Sequence, residues 1–283
     1  MINKIMIVGA GAMGLGIAQV MAASGKKVIV RDLNDTILEN AKQRLTADQS
    51  KLVSKGKKSQ EDMDALMGNI SFSTELSDAA DCDLVIEAAI EVLDIKKQLF
   101  ADLDKVCKPE TILASNTSST SITAIGAATK RPDRVLGMHF FNPATIMKLV
   151  EVIRGIATSD ATFQAVYDLS VEVGKTAIEV AEAPAFAVNR ILVPMINEAI
   201  GVLESGTASA ADIDIGMKLG ANHPMGPLAL CDLIGLDVIL AIMETIMFET
   251  GDQKYRPAPL LRKMVRAGML GQKTGKGFFE YNK

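Results

Sequence analysis

The first thirty-two residues constrain the fold more than any other part of the chain. A β-branched stretch, Lys4-Ile5-Met6-Ile7-Val8, runs into Gly9-Ala10-Gly11-Ala12-Met13-Gly14. A helical pattern follows, with Ile17, Val20 and Met21 on one side. Gly25 then precedes a second apolar stretch, Lys27-Val28-Ile29-Val30-Arg31-Asp32. Because Ile5 to Gly25 carries no charge and follows Lys4, its length also fits a signal peptide or a membrane anchor. The glycines break that run. Strand, glycine turn, helix and strand in this order predict a parallel βαβ unit instead.

Within such a unit each glycine has a physical task. Gly9 permits the tight turn, Gly11 lets a pyrophosphate approach the backbone at the helix N-terminus, and Gly14 allows close helix–strand packing. Asp32, at the end of the second strand, can accept hydrogen bonds from both ribose hydroxyls and would repel a 2′-phosphate. The expected ligand is therefore NAD rather than NADP. A glycine-rich turn in an α/β core without a cofactor is the plainer alternative, and the four elements in register disfavour it.

Composition narrows the classes further. Thirty basic and 34 acidic side chains give a net charge of −4, so no global positive field is available to hold a nucleic acid. Cys82, Cys107 and Cys231 are dispersed and odd in number. They suggest neither a disulfide framework nor a zinc site, and fit a reducing cytoplasm. With only two histidines, His139 and His223, a site of three or four imidazoles is excluded, and no metal is expected.

The βαβ pattern continues along the chain. Residues 36–58 read as a helix rich in Lys42, Arg44, Lys51, Lys55, Lys57 and Lys58, for which periodicity alone favours a solvated face. Ile70–Ser73 reads as a strand. Asp83-Leu84-Val85-Ile86-Glu87-Ala88-Ala89 reads as a buried parallel strand, followed by a helix over 92–105. Thr111–Ala114 is a further strand, and it ends in Ser115-Asn116-Thr117-Ser118-Ser119. Carboxyl ends of such strands face the ligand crevice, which puts this polar cluster on the functional edge.

Arg134–Phe141 and Met147–Ile153 read as an antiparallel pair joined through Asn142-Pro143-Ala144-Thr145. A turn centred near Thr145 sets His139 opposite Glu151. Glu151 interrupts the apolar run Leu149-Val150 and Val152-Ile153, so its carboxylate needs a partner. A carboxylate beside an imidazole fixes the tautomer and stabilises the imidazolium, as a general base requires. Alone, His139 beside two phenylalanines reads as structural; with Glu151 opposite and the Ser118 loop on the same edge, it reads as the base.

A helix over 162–174 and a strand over 176–180 complete this part. From Phe186 the signals are only helical. Phe186–Leu203, with Pro194 as a kink, and Pro227–Phe248 are apolar nearly all round, but Asp232, Asp237 and Glu244 exclude a membrane span. Helices of this kind are buried on every side, which implies a homodimer or larger homo-oligomer through this half. The expected fold class is a Rossmann-type α/β dinucleotide-binding domain over 1–183, with a helical excursion near 36–68. An all-α domain over 184–283 follows it. Asn189, beside Arg190 early in the first helix of that second domain, either caps the helix or faces a cleft at the domain junction.

Seven motifs together carry a family resemblance. They are Gly9-x-Gly11-x-x-Gly14, Glu87-Ala88-x-x-Glu91, Ser115 to Ser119, and His139-Phe140-Phe141-Asn142-Pro143. The others are Leu149-Val150-Glu151-Val152, Val188-Asn189-Arg190 and Pro224-Met225-Gly226-Pro227. The set resembles the L-3-hydroxyacyl-CoA dehydrogenase family nearly end to end, including the tail Gly275-Lys276-Gly277-Phe278. The length is like that of its short bacterial members rather than the multifunctional ones.

The resemblance implies NAD-dependent interconversion of (S)-3-hydroxybutyryl-CoA and acetoacetyl-CoA, a short-chain acyl-CoA reaction of butyrate and fatty-acid metabolism. It implies His139 as the general base, Glu151 as its orienting carboxylate, and Ser118 and Asn189 as donors to the substrate oxygen. It places Glu91, Lys96 and Asn142 at cofactor contacts, and Lys51 and Lys55 at the CoA phosphates. The family commonly has Pro-Gly-Phe where this chain has Pro184-Ala185-Phe186, and the added methyl is expected to restrict the backbone there. His223, in Asn222-His223-Pro224, reads as structural. The alternatives are a related dehydrogenase of a free hydroxy or sugar acid, whose rate would be indifferent to Lys51 and Lys55, and a non-catalytic protein on the same fold.

Overall fold

The computed structural model describes residues 2–281, and the chain separates into two compact units, Met1–Glu182 and Ala183–Lys283. In the first unit, β1 (Lys4–Val8), α1 (Ala12–Ala23) and β2 (Lys27–Arg31) form the expected βαβ. Then come α2 (Asp35–Ser54), α3 (Gln60–Gly68), β3 (Ile70–Ser73), β4 (Leu84–Glu87), α4 (Leu93–Val106) and β5 (Ile112–Ser115). The unit closes with α5 (Ile122–Gly126), β6 (Val135–Phe140), β7 (Leu149–Arg154), α6 (Asp160–Glu172) and β8 (Thr176–Ala181).

One eight-stranded sheet has the order β3-β2-β1-β4-β5-β6-β7-β8. All neighbours are parallel except β6 and β7. The interior strands are short and almost wholly apolar because both their faces are covered. Ile5, Ile7, Leu84 and Ile86 are inaccessible to solvent and join one core with Ile17 and Met21 of α1. Each such side chain contributes roughly 1.5–3 kcal/mol on burial. Strand order reverses between β1 and β4, which opens a crevice at their carboxyl ends.

The single helix read over 36–58 is interrupted. α2 ends at Ser54, and Gly56 takes a left-handed φ of 65°. Ser59 then caps α3 by accepting from the Asp62 N–H. The helical excursion is therefore two helices, and Lys55, Lys57 and Lys58 lie in the turn between them.

The second unit is helical, with α7 (Val188–Glu204), α8 (Ala210–Gly220), α9 (Pro227–Ile234), α10 (Leu236–Thr250) and α11 (Pro259–Arg266). Its own core gathers Val193, Ile196, Leu228, Ile239, Met243 and Leu261. The apolar run over 227–248 is not one helix, because Gly235, at φ 109°, separates α9 from α10. Burial on every side does not hold within one chain: Ile191 of α7 is 73% exposed and Phe248 of α10 is 84% exposed.

Two buried carboxylates organise this unit. Asp214 accepts from the Leu228 and Ala229 N–H groups at the start of α9. Asp232 accepts from Phe278 N, Phe279 N and the Tyr281 hydroxyl, which pins the tail. A Cβ on Gly226 or Gly277 would overlap these carboxylates, which accounts for glycine in both C-terminal motifs. Ala185 and Phe186 hold left-handed φ values of 62° and 56°. The alanine thus sits in a conformation that favours glycine.

Candidate active site

At the strand reversal lies a cavity of about 930 Å³, lined by Gly9, Gly11, Asp32, Arg44, Ala88 and Ile95 among others. Gly9 turns at φ 110°, and a Cβ on Gly14 would lie 1.8 Å from the Gly9 carbonyl oxygen. The loop and α1 can pack this closely only without that methyl. Gly11, in contrast, has no atom within 4 Å of a Cβ position, so its backbone is open to a ligand. It is also the N-cap residue of α1, which has no side-chain cap and no acid in its first turn. The N–H groups and positive dipole end of α1 are therefore available to an anion.

Asp32 Oδ2 accepts from Ala10 N and Oδ1 from Leu33 N, both at 2.7 Å. The carboxylate braces the glycine turn as well as facing the cavity. From α2, Arg44 Nη2 donates to the Ala10 carbonyl at 3.0 Å. The open Gly11, the uncapped helix end and the cavity reaching Asp32 fit a dinucleotide whose adenosine ribose meets Asp32.

Charged side chains bind the loop after β5 to the sheet. Glu87, at the end of β4, is fully buried and accepts from Lys96 Nζ at 2.6 Å, Ser115 Oγ at 2.6 Å and Ala89 N at 2.7 Å. Lys96 Nζ, itself 1% exposed, also lies 3.1 Å from Glu91 Oε2. Glu91 Oε1 accepts from the Thr117 hydroxyl, from Ser118 N at 2.9 Å and from Ser119 N at 3.2 Å. Burial raises the Glu91 carboxyl, but the Lys96 charge and the hydrogen bonds from Thr117, Lys96 and Ser118 outweigh it. The group titrates below its ordinary value. Leaving one charge of the buried Glu87–Lys96 pair alone costs roughly 3–5 kcal/mol, and the partly exposed Glu91 links that pair to the Ser118 loop.

The histidine stands on the same edge of the sheet. Register pairs His139 of β6 with Glu151 of β7, and His139 Nδ1 lies 2.8 Å from Glu151 Oε2. Glu151 is inaccessible to solvent and His139 nearly so. The imidazole also packs against Phe141, with ring centroids 4.6 Å apart. Asn116 Oδ1 accepts from Phe140 N at 2.9 Å, which ties the loop bearing Ser118 to the residue after His139. A histidine of fixed orientation, a hydroxyl loop and a cavity that fits a dinucleotide thus share one edge of the first unit.

The other expected residues are placed as follows. Asn142 is exposed, just beyond β6. Lys51 and Lys55 are exposed, at the end of α2 and just after it. Asn189 is half-buried as the second residue of α7. The N-cap is Ala187, so Asn189 does not cap the helix. His223 N donates to the Met217 carbonyl after α8, within the second unit. Sequence reasoning gave no site role to Glu87, Arg44 or Asn116. Glu87 carried the same signal as Glu151, a carboxylate set in an apolar run.

Residues 4–183 match the family model for the 3-hydroxyacyl-CoA dehydrogenase NAD binding domain, and residues 186–281 match that for the C-terminal domain. The chain is 52% identical over 280 residues to a 3-hydroxybutyryl-CoA dehydrogenase of Clostridioides difficile, covering 99% of this chain and 100% of the relative. It is 48% identical to one of Bradyrhizobium diazoefficiens, covering 99% and 96%. Among solved structures, that of (S)-3-hydroxybutyryl-CoA dehydrogenase from Ralstonia eutropha is similar with a TM-score of 0.97 and 49% identity, over 100% of both chains.

Proposed function

The chain belongs to the 3-hydroxyacyl-CoA dehydrogenase family, and from that premise we propose that it interconverts (S)-3-hydroxybutyryl-CoA and acetoacetyl-CoA with NAD(H). The observation that carries this reading is the buried His139–Glu151 pair at 2.8 Å, on the sheet edge where the glycine turn fits a dinucleotide. Bound NAD supplies the hydride acceptor in the oxidative direction. His139 takes the proton of the substrate 3-hydroxyl at Nε2, while Glu151 holds Nδ1 and stabilises the imidazolium. In reduction His139 returns the proton to the same oxygen.

The Ser118 hydroxyl and the Asn189 amide serve as donors to the C3 oxygen as charge develops on it. Glu91, Lys96 and Asn142 are assigned to cofactor contacts, and Lys51 and Lys55 to the CoA phosphates. The exposure of both lysines supports that last assignment. The reaction belongs to butyrate and fatty-acid metabolism.

A second copy of this chain is assigned to the apolar surface of the second unit, where Ile191, Leu219 and Phe248 are each more than 70% exposed. A cytoplasmic location is assigned on the three buried, unpaired cysteines. Among the described residues no helix is long and apolar enough to cross a membrane.

Initial rates test the reaction. NADH absorbance is expected to fall on addition of acetoacetyl-CoA, faster than with longer 3-ketoacyl-CoA substrates and faster than with NADPH. No fall with acetoacetyl-CoA would contradict the reading.

A further inference from the structure

The Glu87–Lys96–Glu91 set combines two carboxylates with one ammonium, so it carries a negative charge in excess. Glu87 is fully buried and Lys96 is 1% exposed, while Glu91 is 38% exposed, so solvent screens that charge only in part. Glu87 accepts three hydrogen bonds, one of them from an ammonium, as an ionised carboxylate does. Glu91 titrates below its ordinary value, so it too is ionised at neutral pH.

The position of this charge gives it a consequence. A dinucleotide in such a sheet lies across the strand reversal, with one mononucleotide on each side. Asp32, at the end of β2, takes the adenosine side. The other mononucleotide then lies over the carboxyl ends of β4 and β5, which are Glu87 and Ser115. The nicotinamide ring is cationic when oxidised and neutral when reduced. A fixed negative charge beneath it interacts differently with the two redox forms.

We propose that Glu87, acting through Lys96 and Glu91, biases the cofactor site toward the oxidised dinucleotide over the reduced one. Glu87 touches neither substrate nor cofactor in this account; it is a positioning residue that sets the local charge. The proposal rests on the NAD reading of the crevice.

The test is a pair of binding titrations at neutral pH, NADH followed by its own fluorescence and NAD+ by competition against it. Glu87→Gln removes the excess charge. It is expected to raise the ratio of the NAD+ Kd to the NADH Kd by about three- to tenfold over the natural protein. Combining Glu87→Gln with Lys96→Met leaves Glu91 as a lone negative charge. That double variant is expected to return the ratio to within about twofold of the starting value, although both affinities fall. If Glu87→Gln does not fold, judged by thermal unfolding, Glu91→Gln removes the same charge from a half-exposed position, with the same expected rise. Equal weakening of both forms would overturn the proposal and leave Glu87 a merely structural residue. Failure of the natural protein to bind either form would overturn the NAD reading and the proposal with it.

Discussion

His139 Nδ1 and Glu151 Oε2 stand 2.8 Å apart across the antiparallel pair β6–β7, both side chains buried. The neutral ring has one proton, and the carboxylate draws it to Nδ1. In the proposed reaction, proton exchange with the substrate therefore runs through Nε2.

Replacing Glu151 by Gln keeps the shape and removes the charge. Turnover is expected to fall by about 10²–10⁴-fold, with NAD affinity within about twofold of the starting value. Steady-state kinetics and a cofactor titration check this. Equal losses in both would make Glu151 structural.

Gly11 and Gly14 separate ligand approach from packing. Gly11→Ala meets no atom of the protein within 4 Å, so the melting temperature should change little while NAD affinity falls roughly tenfold, equivalent to about 1.4 kcal/mol. At Gly14 the added Cβ would lie 1.8 Å from the Gly9 carbonyl oxygen. Gly14→Ala should lose affinity and also about 1–3 kcal/mol of stability. Calorimetric melting beside a cofactor titration distinguishes the two.

Lys51→Glu combined with Lys55→Glu reverses two exposed charges. The KM for acetoacetyl-CoA should rise by about three- to tenfold, with the KM for NADH and the melting temperature unchanged. A dehydrogenase of a free hydroxy acid would show no change in either KM.

Glu91 gives a pH dependence of defined sign. Its folded pKa lies below the ordinary value because Lys96 and the loop hydrogen bonds outweigh burial. Such a group stabilises the fold fully above its unfolded pKa of about 4.3, and the contribution disappears as pH falls through the lower folded value. The stability gap between the natural protein and Glu91→Gln should therefore be constant from pH 6 to about 5, begin to narrow near the unfolded value of about 4.3, and close as pH falls through the lower folded value. Thermal unfolding across that range measures it.

Much of the fold was legible because each element has its own period. The β-branched run of β1, the glycine spacing and Asp32 specify a βαβ unit locally. The adjacency of His139 and Glu151 was legible because a two-residue side-chain period and one turn fix the register. The break between α2 and α3 was not, since lysines fit an exposed helix and an exposed turn equally well. Gly235 was hidden for a related reason, as an apolar run gives no sign of whether its one glycine ends a helix. Lys96 was named only through the family resemblance, and its burial depends on Glu87, nine residues earlier on another element. Residues coupled through space in this way leave no periodic trace.

The central claim is that His139 is the acid–base residue of an NAD-dependent 3-hydroxyacyl-CoA dehydrogenase. The most direct measurement compares NADH oxidation by the natural protein and by His139→Ala with saturating acetoacetyl-CoA. His223, the chain's other imidazole, lies in the second unit, after α8. The account predicts a loss of about 10²–10⁴-fold in turnover for a variant that still folds and binds NADH. Full turnover by His139→Ala would contradict it.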